Sequence, residues 1–140
     1  MALSPAEARL WTVWKHATET VISRVGSDIQ AATGLSGSDF AVLSRLVDLG
    51  DGELRQQRLA DSMGWDKSRL SHHLTRMTKR ELVERKPGRG VTIAITEAGA
   101  RAIARARPIH AKAVRARLIR LVPRSQRARF SALLELLAAG

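Results

Sequence analysis

The stretch from Trp65 to Met77 limits the fold of this chain more than any other part of the sequence. Asp66 is a typical N-cap residue, and Trp65 and Leu70 stand at the N′ and N4 positions of a hydrophobic staple. Leu70, Leu74 and Met77 recur at i, i+4 and i+7, which is the spacing of a helix face that packs on a core. The stretch therefore predicts a short amphipathic helix that starts after Asp66.

The opposite face of this helix carries no acidic residue between Lys67 and Arg80. A solvated face usually mixes acids and bases, whereas hydroxyl, imidazole and guanidinium groups are those that contact base edges and phosphates in a major groove. We expect DNA contacts from Ser68, Arg69, Ser71, His72, Thr75 and Arg76. Further candidates, for phosphate contacts, are Lys67, Lys79, Arg55 and Lys86. The alternative is an ordinary solvated helix face.

The segments on either side complete a recognisable order. Residues 54–63 fit a short helix ended by Gly64, and a Gly-containing turn then leads into the helix after Asp66, which is the helix-turn-helix pattern. Farther along, residues 82–86 and 91–95 flank a Gly-rich tip that contains Arg89, which predicts a β-hairpin. A helix-turn-helix followed by a hairpin predicts a winged helix with Arg89 at the wing tip.

These segments resemble the MarR family of bacterial transcription regulators. The resemblance is carried by Leu54–Ala60, Trp65–Met77, Leu82–Arg85, Arg89-Gly90 and Ile95–Gly99, and it extends over nearly the whole chain. It implies a homodimer built from the first and last helices, with Arg89 in a minor groove. The family usually has Gly where Glu81 stands, Ser or Thr where Arg55 stands, and an Asp in a longer wing that orients the wing arginine. This chain departs from the family at all three places.

The remaining helices frame the winged unit. Ser4 and Glu7 form a capping box, and an apolar stripe then predicts one helix that runs to about Thr33 and ends at Gly34. A second helix starts at residues 36–39, and Thr96 can cap the helix that follows the wing. In that helix, residue 108 is a proline, which predicts a kink or a break.

The last helix is predicted to start at Pro123 with an apolar face too large for a solvent-exposed terminus. That face consists of Phe130, Leu133, Leu134 and Leu137. Because a small domain cannot cover the long first helix alone, we expect the first and last helices to pair across a two-fold axis. The expected organisation is 1–35 as an N-terminal dimerisation helix, 36–96 as the winged helix-turn-helix and 97–140 as C-terminal dimerisation helices, in one compact unit. The fold class is mainly α with a small β-hairpin wing.

The net charge of +11 is unevenly distributed. Residues 1–53 hold four bases and seven acids, residues 54–90 ten and four, and residues 91–140 ten and two. Such a distribution favours a polyanionic partner. A genome rich in Ala and Arg codons is the alternative cause of the C-terminal charge. Residues 98–134 contain no acid, and they could contact flanking phosphates, bind an anionic ligand or form a solvated face.

Several classes of function are disfavoured by what the sequence lacks. It has no Cys, no long apolar run and no signal-peptide pattern, so we expect a cytoplasmic protein without disulfides or a membrane span. His72 and His73 are adjacent, so on a helix they point about 100° apart, and no ligand set for a metal surrounds them. His73 should be a hydrogen-bonded interior residue. No catalytic arrangement is visible, and no cofactor is expected.

An effector pocket is a further expectation. Trp11, Trp14, His16 and His110 could line a pocket between the dimer helices and the winged unit, where relatives in the resembled family often bind phenolic or other aromatic anions. The alternative for Trp14 is a core residue at helical spacing. Trp65 is expected to be structural, as the N′ member of the staple.

The sequence thus predicts a homodimeric, sequence-specific, double-stranded DNA-binding transcriptional regulator. We expect a repressor on a pseudo-palindromic operator with half-sites about one helical turn apart, released by a small aromatic or anionic effector. The alternatives are a non-specific nucleoid or RNA-binding basic protein, and an enzyme in which the winged helix serves only dimerisation.

Overall fold

The computed structural model describes residues 1–140 and is mainly helical, with one small antiparallel sheet. Its main elements are α1 (Pro5–Thr33), α2 (Gly37–Gly50), β1 (Glu53–Arg55), α3 (Gln56–Met63), α4 (Lys67–Lys79), β2 (Val83–Lys86), β3 (Thr92–Ile95), α5 (Glu97–Arg117) and α6 (Arg127–Ala139). Two short 3-10 turns, Ile119–Leu121 and Arg124–Gln126, join α5 to α6. The predicted fold class, helices around a winged helix-turn-helix, is confirmed.

Capping residues mark several of the helix boundaries, as the sequence predicts. Four of them start at Ser4, Ser36, Asp66 and Thr96, and each of these side chains accepts a hydrogen bond from the backbone N–H three residues farther along. Gly34 and Gly64 adopt left-handed conformations, with φ of 79° and 64°, and end α1 and α3. Local chemistry therefore fixes these boundaries.

The core lies beneath the helix-turn-helix. The predicted inner face of α4, formed by Leu70, Leu74 and Met77, is completely buried. It packs in one cluster with buried side chains from α1, α2, α3 and the sheet, among them Ile29, Leu43, Leu46, Leu59 and Ile93. This packing fixes which face of α4 is turned to solvent.

The prediction that the helix before the turn begins at Leu54 is wrong. Leu54 and Arg55 belong to β1, and α3 begins at Gln56. Leu54 is buried and is paired with Ile93, so that β1 lies beside β3 in a sheet of order β1-β3-β2. β1 therefore covers one edge of β3, and the wing is anchored as part of a three-stranded sheet.

The sequence predicts a kink or a break at Pro108, and no break occurs. α5 continues from Glu97 to Arg117, although a proline in a helix interior removes one backbone hydrogen bond. Buried side chains hold the helix on both sides of the proline, since Ile103 and Ala106 precede it and Ala113 follows it. Arg107 adds a hydrogen bond of 2.8 Å to Asp48, and Arg117 adds two of 3.0 Å to Asp28. Tertiary contacts thus outweigh the local preference. α6 begins at Arg127 rather than at Pro123, because a 3-10 turn precedes it.

A large apolar surface is uncovered in the single chain. Along the first half of α1, Leu10 is 71% exposed and Trp11 56%. On α6, Leu133 and Leu137 are also exposed, and no residue of that helix is buried. None of the helices combines the length and the apolar character that crossing a membrane requires.

Candidate nucleic-acid interface

The outer face of α4 presents the side chains that the sequence assigns to it. Ser68, Arg69, His72, Thr75 and Arg76 are exposed, and Ser71 is half-buried. Lys67 and Lys79, at the two ends of α4, are exposed as well. No other part of the chain covers His72 or Arg76. α4 therefore offers an uninterrupted surface of hydroxyl, imidazole and cationic groups.

Arg69 is held against Trp65. Its guanidinium carbon lies 3.8 Å from the centroid of the indole ring, which is a cation–π contact. The backbone N–H of Arg69 donates to Asp66 at 2.8 Å, so the first turn of α4 is capped beneath it. Trp65 is half-buried against the core, as the staple predicts, and it also supports one of the candidate DNA-contacting arginines.

Arg85 connects the wing to α4 and was not among the predicted site residues. Its guanidinium donates to the carbonyl of Ser71 at 2.8 Å and to the hydroxyl of Thr75 at 3.0 Å. The Thr75 hydroxyl in turn donates to the Ser71 carbonyl at 3.0 Å. One sequence signal could have identified Arg85 as a contacting residue. Side chains alternate along β2, so Arg85 lies on the same side of the strand as the buried Val83. Ser71 and Thr75 are thus partly engaged within the protein.

A buried carboxylate lies beneath α4. Asp39, at the start of α2, accepts the Ser36 backbone N–H at 2.9 Å and the Arg80 guanidinium at 2.7 Å. Burial by itself would raise the pKa of Asp39, but the contact with His73 and the hydrogen bonds from the Ser36 backbone and from Arg80 outweigh burial and hold this pKa well below its usual range. Asp39 is therefore an anion in the core, and the sequence identified it only as part of a helix start.

His73 is the interior residue that the sequence predicts. Its Nε2 lies 3.0 Å from Asp39 Oδ1, at an angle that falls short of a linear hydrogen bond, and its ring meets Trp65 edge-on with centroids 5.7 Å apart. On the other side of the ring, Nδ1 lies 3.2 Å from a guanidinium nitrogen of Arg76. His73 therefore lies between the core and the outer face of α4.

The wing carries three of the predicted basic residues. Arg89 is exposed at the tip and makes no hydrogen bond or ion pair, while the following Gly90 has a φ of 90°. Arg55 extends toward the tip, where a Cβ at Gly90 would lie 3.9 Å from its guanidinium. Lys86 is paired with Glu53 at 3.3 Å. Arg89 at the wing tip and Arg55 on the adjacent β1 are thus the unpaired cations of this region.

A cavity of about 850 Å³ lies between α1, α2, α5 and the start of α4. Its wall includes Arg45, Arg69, Arg107 and a stacked pair, Phe40 and His110, whose ring centroids are 4.3 Å apart. Burial, and next the charge of Arg107, lower the pKa of His110, which favours a neutral ring. The wall therefore combines aromatic and cationic groups with one carboxylate, that of Asp48, which is paired with Arg107.

The predicted effector residues are not brought together in this cavity. His110 lines it, but Trp11, Trp14 and His16 do not. These three lie on the first half of α1, which is exposed, whereas only the second half of α1 reaches α2 and the cavity. Within one chain the four residues do not line one pocket, because α1 is too long for both of its halves to reach the cavity.

Comparison with known proteins places this geometry among transcription regulators. A family model described as a domain of unknown function (DUF7343) matches residues 34–96, and no curated protein matches the sequence. The crystal structure of AbsC, a MarR family transcriptional regulator from Streptomyces coelicolor, superposes with a TM-score of 0.87 at 27% identity, covering 99% of this chain and 96% of that one. The chain has the MarR-family fold.

Two further solved structures are similar over most of their length. Sco3205, a MarR family regulator from Streptomyces coelicolor solved in complex with DNA, gives a TM-score of 0.88 at 23% identity and covers 99% and 89% of the two chains. The organohalide-sensing regulator RdhR-CbdbA1625 gives 0.83 at 21% identity, with coverage of 96% and 80%. In MarR terms, α4 is the second helix of the helix-turn-helix, and β2 and β3 form the wing.

Proposed function

We propose that this protein is a DNA-binding transcription regulator that recognises a specific duplex sequence. The observation that carries the proposal is the exposed, acid-free face of α4. The opposite face of this helix is fully buried through its leucine and methionine side chains, and α4 is followed by a wing with free cations. In a winged helix of this kind, the second helix of the helix-turn-helix enters a major groove. AbsC and Sco3205 are both described as transcriptional regulators, which supports the same class.

Within this proposal the basic and polar side chains have different tasks. Arg69, His72, Arg76 and Ser68 face base edges or phosphates, and Arg89 enters the adjacent minor groove. Ser71 and Thr75 contribute less, because their oxygens already serve Arg85. Phosphate contacts come from exposed bases around this surface, namely Lys67, Lys79, Arg55 and, in competition with Glu53, Lys86.

We further propose that the protein acts as a homodimer on a pseudo-palindromic operator in the cytoplasm. The uncovered apolar side chains of α1 and α6 support this part, since apolar patches of such extent on a regulator are usually covered by a partner. Residues 1–35 and 97–140 then supply the dimer contacts, while 36–96 contact DNA. Two-fold symmetry would place the two α4 helices about one helical turn apart along the duplex.

The 850 Å³ cavity supports regulation by a small molecule, and we propose that the protein acts as a repressor. Its volume suits a drug-sized ligand, and its aromatic and guanidinium wall suits an aromatic anion. Arg69 belongs both to this wall and to the DNA-facing surface of α4. A ligand that draws Arg69 toward the cavity would weaken the DNA complex, which gives a route for release. Catalysis has no part in this proposal.

The deciding experiment is selection of bound sites from a random duplex pool, followed by competition binding. We expect an inverted repeat to be enriched and to compete at least about a hundredfold better than random duplex. The double variant His72→Ala/Arg76→Ala should abolish this preference. Lys15→Ala, which removes an exposed base from α1, should leave it intact.

Equal competition by all duplexes, or preference for RNA, would instead favour a non-specific nucleoid or RNA-binding protein. Salt dependence supplies a second check. Because several phosphates are contacted, the logarithm of the affinity should fall linearly and steeply with the logarithm of the salt concentration. Affinity that does not change with salt would contradict the proposed surface.

A further inference from the structure

Three side chains connect the buried core to the outer surface of α4. Asp39 on α2 contacts Nε2 of His73, and Nδ1 of the same ring contacts the guanidinium of Arg76, with distances of 3.0 Å and 3.2 Å. Asp39 and His73 are buried, whereas Arg76 is exposed on the face proposed to meet DNA. The imidazole is thus the only group between a fixed internal anion and an external arginine.

The contacts of the two ring nitrogens determine where the proton of His73 lies. A guanidinium can only donate hydrogen bonds, so Nδ1 must accept and carries no proton. The proton of the neutral ring is therefore on Nε2, where it faces the carboxylate of Asp39. A ring with the proton on Nδ1, or a doubly protonated ring, would turn an N–H toward Arg76 and lose this contact.

The surroundings of His73 leave the ring little freedom. Asp39 is itself fixed by the Ser36 backbone and by Arg80, and Trp65 meets the ring edge-on. Trp65 also supports Arg69 through the face of its indole. Both arginines of the outer face are therefore directed by aromatic rings that the core holds in place.

We propose that His73 is a positioning residue for DNA recognition, which directs the guanidinium of Arg76, and that Asp39 selects the ring tautomer that allows it. This inference rests on the proposed function. Its physical basis is preorganisation: an arginine already confined to one direction loses less conformational entropy when it binds. His73 itself touches no DNA, so its whole effect on binding passes through Arg76.

Two substitutions separate the two sides of the ring. In His73→Gln, the terminal amide can reach the region of Nε2 and still donate to Asp39, while the acceptor beside Arg76 is lost. In His73→Asn, the shorter amide can place its oxygen near the former Nδ1, while the contact with Asp39 is lost. We expect His73→Gln to bind the selected operator about fivefold more weakly, an effect within the range of couplings between contacting residues. His73→Asn should bind more nearly as the unaltered protein does.

A double-mutant cycle with Arg76→Ala tests whether the effect passes through Arg76. We expect His73→Gln to change affinity by less than about twofold when Arg76 is already alanine, because the group it directs is absent. An equal loss in both backgrounds would show a merely structural role and overturn the inference, while sequence-specific binding would leave the proposed function standing. If the unaltered protein shows no sequence preference, both are overturned.

The unaltered protein offers a measurement that does not depend on the folding of any variant. The nitrogen chemical shifts of the His73 ring, with histidine labelled with ¹⁵N, distinguish the two neutral tautomers. We expect protonated Nε2 and unprotonated Nδ1 at neutral pH, and His72, which is exposed, serves as the internal comparison. A proton on Nδ1 would exclude the contact with Arg76 and overturn the proposal.

Discussion

The replacement of Asp39 by asparagine tests the buried network beneath α4. Asp39 has a side chain that is only 3% exposed and accepts from Arg80, whose side chain is 47% exposed. Loss of the ion pair costs at most about 1 kcal/mol, because the Arg80 guanidinium can return to water. Asparagine keeps only one acceptor oxygen, so it cannot face both the Ser36 backbone N–H and the His73 ring, and a buried donor left without an acceptor costs about 1–3 kcal/mol. We therefore expect Asp39→Asn to lower the free energy of unfolding by about 2 kcal/mol.

Asp48→Asn is the matched control. Asp48 accepts from Arg107 at 2.8 Å, nearly the distance between Arg80 and Asp39, but both side chains of this pair are largely exposed. We expect this substitution to cost less than about 0.5 kcal/mol. Denaturant unfolding measures both variants, and in thermal unfolding the Asp39→Asn midpoint should fall by about 6–10 °C. Equal losses in the two variants would refute the argument that burial determines the value of the contact.

The pH dependence of the same variant has a definite sign. The pKa of Asp39 in the folded protein lies below its ordinary value of 3.8. The stabilisation by the carboxylate is therefore complete above that ordinary value and is lost as the pH falls below it toward the folded-state pKa. The difference between the unaltered protein and Asp39→Asn should be constant from about pH 5 to pH 7 and should narrow below about pH 4. A difference that grows with acidification would contradict the assignment.

Three further predictions concern the geometry around α4 and the wing. Glu81 has a φ of 60°, so Glu81→Gly should relieve left-handed strain and raise the free energy of unfolding by up to about 1 kcal/mol. Lys79→Gly, which lies within α4, should lower the free energy of unfolding by about 1 kcal/mol. Denaturant unfolding measures both variants. Gly99→Ala should prevent stable folding, as judged by circular dichroism, because a Cβ there would overlap the Leu82 carbonyl. Arg85→Met should weaken operator binding at least about fivefold, because the wing loses its hydrogen bonds to α4, while the variant retains its helical content. Unchanged affinity would show that those hydrogen bonds do not position the wing.

The elements that the sequence predicts correctly are those determined by neighbours in the chain. Capping residues such as Ser4 and Asp66 act on backbone groups three residues away, so the starts of their helices follow from local chemistry. The burial of Leu70, Leu74 and Met77 follows from helical spacing. Glu81 illustrates the same point, because the position where the resembled family usually has Gly does adopt a left-handed conformation.

The features that the sequence does not predict depend on partners far away in the chain. β1 holds only three residues, and Leu54 becomes a strand residue because it pairs with Ile93. Pro108 remains within a helix because Ile103, Ala106 and Ala113 are buried on either side of it. The contacts of Asp39 with Arg80, and of Arg85 with Ser71, join residues 41 and 14 positions apart. The spacing of apolar residues along the sequence does not indicate which of these distant residues will be in contact.

The hydrogen bonds from Arg85 join the strand β2 to the helix α4 on either side of a short connection. Helix and wing within one copy should therefore move together, and the distance between the two points at which we propose that they contact a duplex should be constant. If one base pair is inserted inside a half-site, α4 and the wing of one copy can no longer both match their contact points, because they cannot shift relative to each other. An insertion between half-sites can be accommodated when one copy rotates against the other. Binding should therefore tolerate an insertion between half-sites better than an insertion within one.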